Sequence, residues 1–283
     1  MPEGPEIRLA ADKVARVLVN NQIETVSFGL PRLKAFEKTL SGNLVTAVDT
    51  RGKAMLTRFD NGLTIYSHNQ LYGRWYTVRQ PRMPKTNRQL RIELSTQTHK
   101  ALLYSASDIE VLDEDQLARH PFLNRIGPDI LDRSLTQAQI VERLLDSAFR
   151  NRSLGSLYLD QRFLAGNGNY LRSEILWVAG LHPKRKPLGL SASELETLAE
   201  ETLKIARRSY RTRGVTVAPT LASQLQADGL TYGAYRFYVF GRSGKSCHRC
   251  ESRIERETMG SRNIFICPTC QPCDDERIHP SRG

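Results

Sequence analysis

Between Ile7 and Leu18 the apolar residues recur as Ile7, Ala10, Ala11, Val14, Val17 and Leu18, the three-to-four spacing of one buried helix face. Pro5 falls near the start of that helix, where its missing N–H costs little. Short runs with β character follow at Ile23–Phe28, Leu44–Thr50, Lys53–Phe59, Leu63–His68, Arg74–Gln80, Leu90–Thr96 and Ala101–Ser107, with turn pairs such as Arg51-Gly52 and Asn61-Gly62 between them. Strands so closely spaced predict a β-sandwich over residues 1–115. Pro81–Asn87 reads as a polar loop.

Beyond a linker at 116–133 the period turns helical, at Ser134–Ser147, Leu154–Leu159, Gly168–Val178 and Ser191–Arg211, with Ser134 and Ser191 as N-caps. Leu181–Leu190 is a connection, since two prolines bracket three cations there. β character returns at Tyr235–Phe240 and Asn263–Ile266. The expected fold is α+β in two domains. A β-sandwich with a flanking helix (1–115) is followed, past the linker, by a helical domain (134–234), a finger (235–271) and a disordered tail (272–283).

The charge balance adds a partner. Lys and Arg number 41 against 30 Asp and Glu, for a net +11 and a pI near 9.6. Such a surface favours a polyanion, because Lys and Arg release condensed counterions from phosphates. The chain has no apolar stretch of the roughly 18 residues a membrane span needs and no secretory signal at its start. The expected setting is the cytoplasm, where thiols stay reduced.

All five cysteines lie between Cys247 and Cys273. Cys247-x2-Cys250 and Cys267-x2-Cys270 form two knuckles, the spacing of a closed tetrahedral zinc site. So small a module buries too little apolar surface to fold alone, so the zinc is expected to be structural. Cys273 is surplus and reads as a free thiol. Arg253, Arg256 and Arg262 lie between the knuckles. Only Arg262 lacks a nearby acid, which makes it the better candidate for a phosphate contact.

Pro2 follows the initiator methionine. Removal of Met1 would expose a secondary amine, and an unperturbed α-amine has a pKa of about 8. Such an amine can attack C1′ of a deoxyribose and form an iminium ion. Glu3 beside it can supply a proton. By itself a proline at this position is more often merely tolerated. Lys53 alone reads as a solvated strand end. Gly166-Asn-Gly-Asn169 suits either a phosphate cradle at a helix N-terminus or an ordinary glycine-rich connection. Gln70-Leu71-Tyr72 alone reads as a polar hairpin with one packed leucine.

Five segments in order nevertheless resemble the formamidopyrimidine-DNA glycosylase/endonuclease VIII family, from Met1 to about Gln271. They are Pro2–Glu6, Arg51-Gly-Lys53, Gln161-x-Phe-x-x-Gly-x-Gly-Asn-Tyr170 with Leu181-His-Pro183 after it, Ser261-Arg262, and Cys267-Pro-x-Cys-Gln271. The resemblance implies a helix–two-turn–helix domain and a zinc-finger β-hairpin. It also implies a bifunctional glycosylase/lyase that acts as a monomer on damaged double-stranded DNA. Pro2 would be the Schiff-base nucleophile, Glu3 a proton donor, Lys53 a second donor assisting β-elimination, and Arg262 a phosphate contact assisting δ-elimination. Arg125 and Asn169 would hold phosphates beside the lesion. Gly4 and Tyr66–Gly73 resemble the branch that removes oxidised pyrimidines. There Gln70, Leu71 and Tyr72 would fill the void left by the everted nucleotide. The alternatives are an oxidised-purine enzyme of the same family and a silent zinc-ribbon DNA binder. Asn263 departs from the family pattern, where a proline or small residue is expected.

Overall fold

The computed structural model describes residues 2–273; Met1 and residues 274–283, most of the expected tail, lie outside the described residues. Two compact units result, Met1–Ile126 and Gly127–Gly283, so the division falls inside the 116–133 segment.

The first unit opens with helix α1 (Gly4–Leu18), then β1 (Thr25–Phe28), α2 (Phe36–Leu40), β2 (Val45–Arg51), β3 (Ala54–Phe59), β4 (Thr64–His68), β5 (Arg74–Arg79), β6 (Leu90–Ser95), β7 (His99–Tyr104), β8 (Asp108–Leu112) and α3 (Glu114–Ala118). The strands form two antiparallel sheets, ordered β1-β6-β7-β5 and β2-β3-β4-β8. Val26, Phe28, Ile92, Leu94 and Leu103 from one sheet meet Val48, Met55, Ile65 and Ile109 from the other, with Ala11, Val14 and Leu18 of α1. This is the expected sandwich, because period-2 alternation sends every second side chain inward. In the second sheet the outward set is buried as well. Ala54, Leu56, Tyr66 and Leu112 are covered by Leu117, Phe122 and Leu123, and so β3 reads as a nearly unbroken apolar run.

The second unit is helical: α4 (Gln137–Leu145), α5 (Leu154–Leu157), α6 (Asn169–Val178), α7 (Ala192–Arg211), α8 (Pro219–Ala227) and α9 (Tyr232–Tyr235), then a hairpin of β9 (Glu255–Met259) and β10 (Arg262–Ile266). Ser191 caps α7 as expected, accepting the Glu194 N–H at 3.2 Å while Glu194 accepts the Ser191 N–H at 2.8 Å. For α4 the cap is Thr136 rather than Ser134. Ser134 is instead held by Asp132, which accepts its N–H at 2.8 Å and its hydroxyl at 2.7 Å.

Tyr235–Phe240 is not a strand, contrary to its composition. Phe237, Tyr238 and Val239 are buried in the helical core. The N–H groups of Tyr238, Val239 and Phe240 donate at 2.8–2.9 Å to the carboxylate of Glu174, a residue of α6. Thr216 donates its hydroxyl to the same carboxylate. A strand partner is unnecessary where one anion satisfies three backbone donors.

Arg185, from the expected Leu181–Leu190 connection, donates to both oxygens of Glu194, with Nη2 at 3.0 Å from Oε2. Those hydrogen bonds draw the Glu194 carboxyl down to about 2, from the ordinary 4.5. A depressed folded-state value means stability that is complete above about pH 4.5 and fades as pH falls through about 2. Glu194→Gln is therefore expected to flatten the acid limb of urea-unfolding midpoints across that interval. An acid limb identical to that of the native protein would disprove the coupling.

Candidate active site and zinc centre

In the first unit, topology gathers the expected chemical groups at one pole. The C-terminal end of α1 is fixed to the first residue of β2: Val19 bridges Val45, and the Asn20 N–H donates to the Val45 carbonyl at 2.8 Å. From there α1 packs along β2. A 15-residue helix rises about 22 Å, and a seven-residue strand spans about 23 Å. Laid along β2 from that joint, a helix of this length would reach the far end of the strand, where Gly52 and Lys53 make the two-residue turn into β3. Gly52 takes φ 61°, the left-handed value that the first position of such a turn favours in glycine. Lys53 thus lies in the turn itself, and β3 begins at Ala54. Glu3 is the N-cap residue of α1 and is buried. Its N–H donates to the Glu6 carboxylate at 3.0 Å, which orders the chain immediately after Pro2.

Register extends the pole. Ala54 pairs with His68, and His68 with Asp108, so the ends of β4 and β8 lie beside Lys53. The His68 ring is held neutral: burial, chiefly, and the Lys53 charge oppose protonation, while Asp108 acts against them. Gln70, Leu71 and Tyr72 form the turn after β4. Their side chains face solvent, Leu71 at 56% and Tyr72 at 69% exposure. Arg125 is exposed and donates Nε to the Pro121 carbonyl at 2.9 Å. Its segment is anchored by Phe122, whose ring packs edge-on against His68 at 5.6 Å.

In the second unit, Asn169 opens α6 after the Gly166–Gly168 turn. Gln161 staples that turn, its amide accepting the Gly166 N–H at 3.1 Å and donating to the Asn167 carbonyl at 2.9 Å. Asn169 is tied to the hairpin, since its Nδ2 donates to the Asn263 carbonyl at 2.9 Å. The fully buried Arg172 braces both: Nη2 donates to Asn169 Oδ1 at 2.7 Å and to the Asn263 carbonyl at 3.1 Å, and Nη1 to the Gly155 carbonyl at 2.8 Å. Arg262, exposed at the start of β10, is therefore one residue from a backbone carbonyl fixed to the start of α6. Asn263, the departure from the family pattern, meets Asn169 and Arg172 through its backbone carbonyl, while its side-chain oxygen accepts from the Thr258 hydroxyl at 3.4 Å.

Cys247, Cys250, Cys267 and Cys270 converge with all four sulfurs within 4.8 Å of one another. Neighbouring pairs lie 3.4–3.9 Å apart, close to the ~3.8 Å edge of a tetrahedron with ~2.3 Å Zn–S bonds. Backbone N–H groups of Arg249 and Cys270 donate to Cys247 and Cys267 sulfurs at 3.4 and 3.5 Å, as knuckles do. Hydrogen bonds from Ser252 draw the Cys250 thiol down to about 6. Burial and the adjacent sulfurs hold Cys270 well above its usual range. Four thiolates this close need a divalent charge, and the cluster is suited to one zinc ion. Cys273 is exposed and outside the cluster. Gln271 docks the finger: its Oε1 accepts the Cys267 N–H at 3.0 Å and its Nε2 donates to the Leu181 carbonyl at 2.9 Å.

Strand β8, and with it Asp108, escaped the sequence reading, although Ile109, Val111 and Leu112 carried a usable apolar signal. Arg172 carried no local signal, because it acts through the distant backbone of Gly155 and Asn263.

Comparison with known proteins agrees with this geometry. Residues 1–106 match the formamidopyrimidine-DNA glycosylase N-terminal domain, 126–219 the formamidopyrimidine-DNA glycosylase H2TH domain, and 244–272 the zinc finger found in FPG and IleRS. The chain is 51% identical to Endonuclease 8 of Klebsiella pneumoniae over 272 residues, covering 96% of this chain and all of that one. It is 50% identical to Endonuclease 8 of Escherichia coli with the same coverage. Among solved structures, a Lactococcus lactis Fpg in complex with DNA containing an abasic site superposes with a TM-score of 0.78 at 20% identity, covering 96% of this chain and 100% of that chain.

Replacing Cys267 by Ser is expected to abolish stoichiometric zinc and to unfold the β9–β10 hairpin, since metal binding supplies most of the folding free energy of so small a module. Elemental analysis with amide hydrogen exchange checks this. Full zinc content in the variant, or a hairpin still protected without it, contradicts the assignment.

Proposed function

The chain belongs to the formamidopyrimidine-DNA glycosylase/Endonuclease 8 family, and from that premise we propose that it removes oxidised pyrimidines through a Schiff base on Pro2. The coarser activity, a DNA glycosylase/AP lyase of base excision repair, follows from full-length identity of about half to the Endonuclease 8 relatives.

The finer reading is supported by the matched lengths of α1 and β2, which would bring Pro2, Glu3 and Lys53 to one pole. The Pro2 nitrogen attacks C1′, a new N–C1′ bond forms, and the base departs with its bonding pair; loss of the nitrogen's proton and opening of the C1′–O4′ bond, whose electron pair stays on O4′, then give the iminium ion. Glu3, buried beside the nucleophile, supplies the proton that the sugar oxygen or leaving group needs. The partial positive charge at the start of α1 favours the uncharged, nucleophilic amine. Loss of a C2′ proton from the iminium ion then expels the 3′ phosphate, with Lys53 as proton donor, and a second elimination expels the 5′ phosphate. Arg262 and Asn169 bind a phosphate, joined by the Asn263 carbonyl, and Arg125 binds another from its own unit. The exposed Gln70-Leu71-Tyr72 turn supports the pyrimidine branch. The chromosome in the cytoplasm is the setting that this activity requires.

Borohydride is expected to trap a covalent complex between the processed protein and a duplex carrying thymine glycol, more efficiently than with 8-oxoguanine. Acetylation of the N-terminus should abolish trapping. Better trapping with 8-oxoguanine moves the chain to the purine branch, and trapping that survives acetylation rules out Pro2. A separate expectation concerns Arg262→Ala, which should reduce the slope of log affinity against log salt by about one. An unchanged slope in fluorescence anisotropy titrations rejects that phosphate contact.

A further inference from the structure

The turn after β4 is braced at several points by residues outside the three that would meet DNA. The Gly73 N–H donates to the Asn69 carbonyl at 2.7 Å, closing the loop on itself. Gly73 has no substitute there, because a Cβ would lie 2.6 Å from the Asn69 Cα and carbonyl oxygen. Gln70 is held at φ 50°, a conformation uncommon outside glycine that neighbouring contacts must enforce. One contact is the Gln70 N–H donating to His68 Nδ1 at 3.1 Å. Another is the Ser107 hydroxyl donating to Gln70 Oε1 at 3.0 Å. A third is Arg88 Nη1 donating to the Tyr72 carbonyl at 2.5 Å.

We propose that His68 is a positioning residue that holds the Gln70-Leu71-Tyr72 turn in its DNA-inserting shape before DNA arrives. The inference rests on reading that turn as the element that fills the void of the everted nucleotide. His68 is suited to the task on three counts. Its Nδ1 is an acceptor only while the ring lacks that proton, and the surroundings keep the ring neutral. Its plane is fixed from the other side by Phe122. Its backbone is pinned by β4 between Ala54 and Asp108. Displacing a base from the stack is already costly. A wedge that had to order itself at the same moment would lose side-chain and backbone freedom in addition, so preforming it lowers the cost of insertion.

The full-length zinc-loaded protein tests this with abasic-site oligonucleotides, single-stranded or paired. Only the duplex has a void and an orphaned partner base to contact, so the readout is the duplex-to-single-strand ratio of single-turnover cleavage rates. Both substrates share the Lys53 pole, and changes at that pole cancel in the ratio. His68→Leu is expected to lower it about tenfold. His68→Asn, whose side-chain oxygen can accept the same N–H in an Asx turn, is expected to return it to within about threefold. Gly73→Ala should lower it as His68→Leu does, by opening the same turn. A ratio unchanged in His68→Leu, or lowered equally in His68→Asn, overturns the proposal. A native protein with a ratio near one overturns the void-filling reading and this inference with it, while a native protein that cuts neither strand overturns the enzymatic reading itself.

Discussion

The bridge between Val19 and Val45 is the constraint on which the first unit's chemistry depends. It ties the end of α1 to the beginning of β2, against which the helix packs. Because 15 helical residues and seven extended ones have nearly equal lengths, the start of the chain returns to the β2–β3 turn. A chain terminus is ordinarily its most frayed part. Here it is made usable by burying Glu3 at a helix start and by the Glu6 carboxylate accepting the Glu3 N–H. Catalysis by an N-terminal residue needs this kind of anchoring, since a misplacement of about 1 Å can cost ~100-fold in rate.

The second unit solves a different problem with buried charge. Arg172 and Glu174 stand two residues apart on α6, and both are fully buried. Arg172 donates to carbonyls of Gly155 and Asn263 and to the Asn169 amide, and Glu174 accepts from the backbone of 238–240. Glu174 therefore converts loop backbone, which forms no strand or helix of its own, into part of the core, while Arg172 ties α5 and the β9–β10 hairpin to the start of α6. Removing either would strand several polar groups away from water, at about 1–3 kcal/mol for each. The zinc knuckles extend the same logic to the hairpin, with Gln271 as the joint to Leu181.

What the sequence disclosed and what it withheld divide along that line. The cysteines, the glycine-rich turn before α6 and the α1 face were legible because each signal lies within a few neighbouring residues. The seven strands read from alternation were found with small shifts; Ala101–Ser107, for example, proved to be His99–Tyr104. β8 was missed, its five residues sitting between the expected sandwich strands and the expected linker. Tyr235–Phe240 was misread for a deeper reason. Its apolar composition is that of a strand, but its N–H partners belong to a carboxylate 64–66 positions earlier, and no local pattern announces such a partner. Asn263 looked like a departure from the family for a related reason: the hairpin uses its carbonyl, which every residue has.

Affinity and selectivity in this protein then have separate physical origins. A net charge of +11 attracts any stretch of DNA by releasing counterions, and that attraction neither knows nor reports the sequence or the lesion. Discrimination has to come from the difference in cost between everting a damaged base and an intact one. A preformed turn sharpens that difference, because a rigid wedge applies the same demand to every base pair and only a weakened pair yields. A pliable wedge would instead relax around intact stacks and blur it. If the turn fills the void as proposed, the hydrogen bonds at His68, Ser107 and Arg88 bear on lesion choice although none of these residues touches the damaged base, whereas the surface cations set the general attraction to DNA.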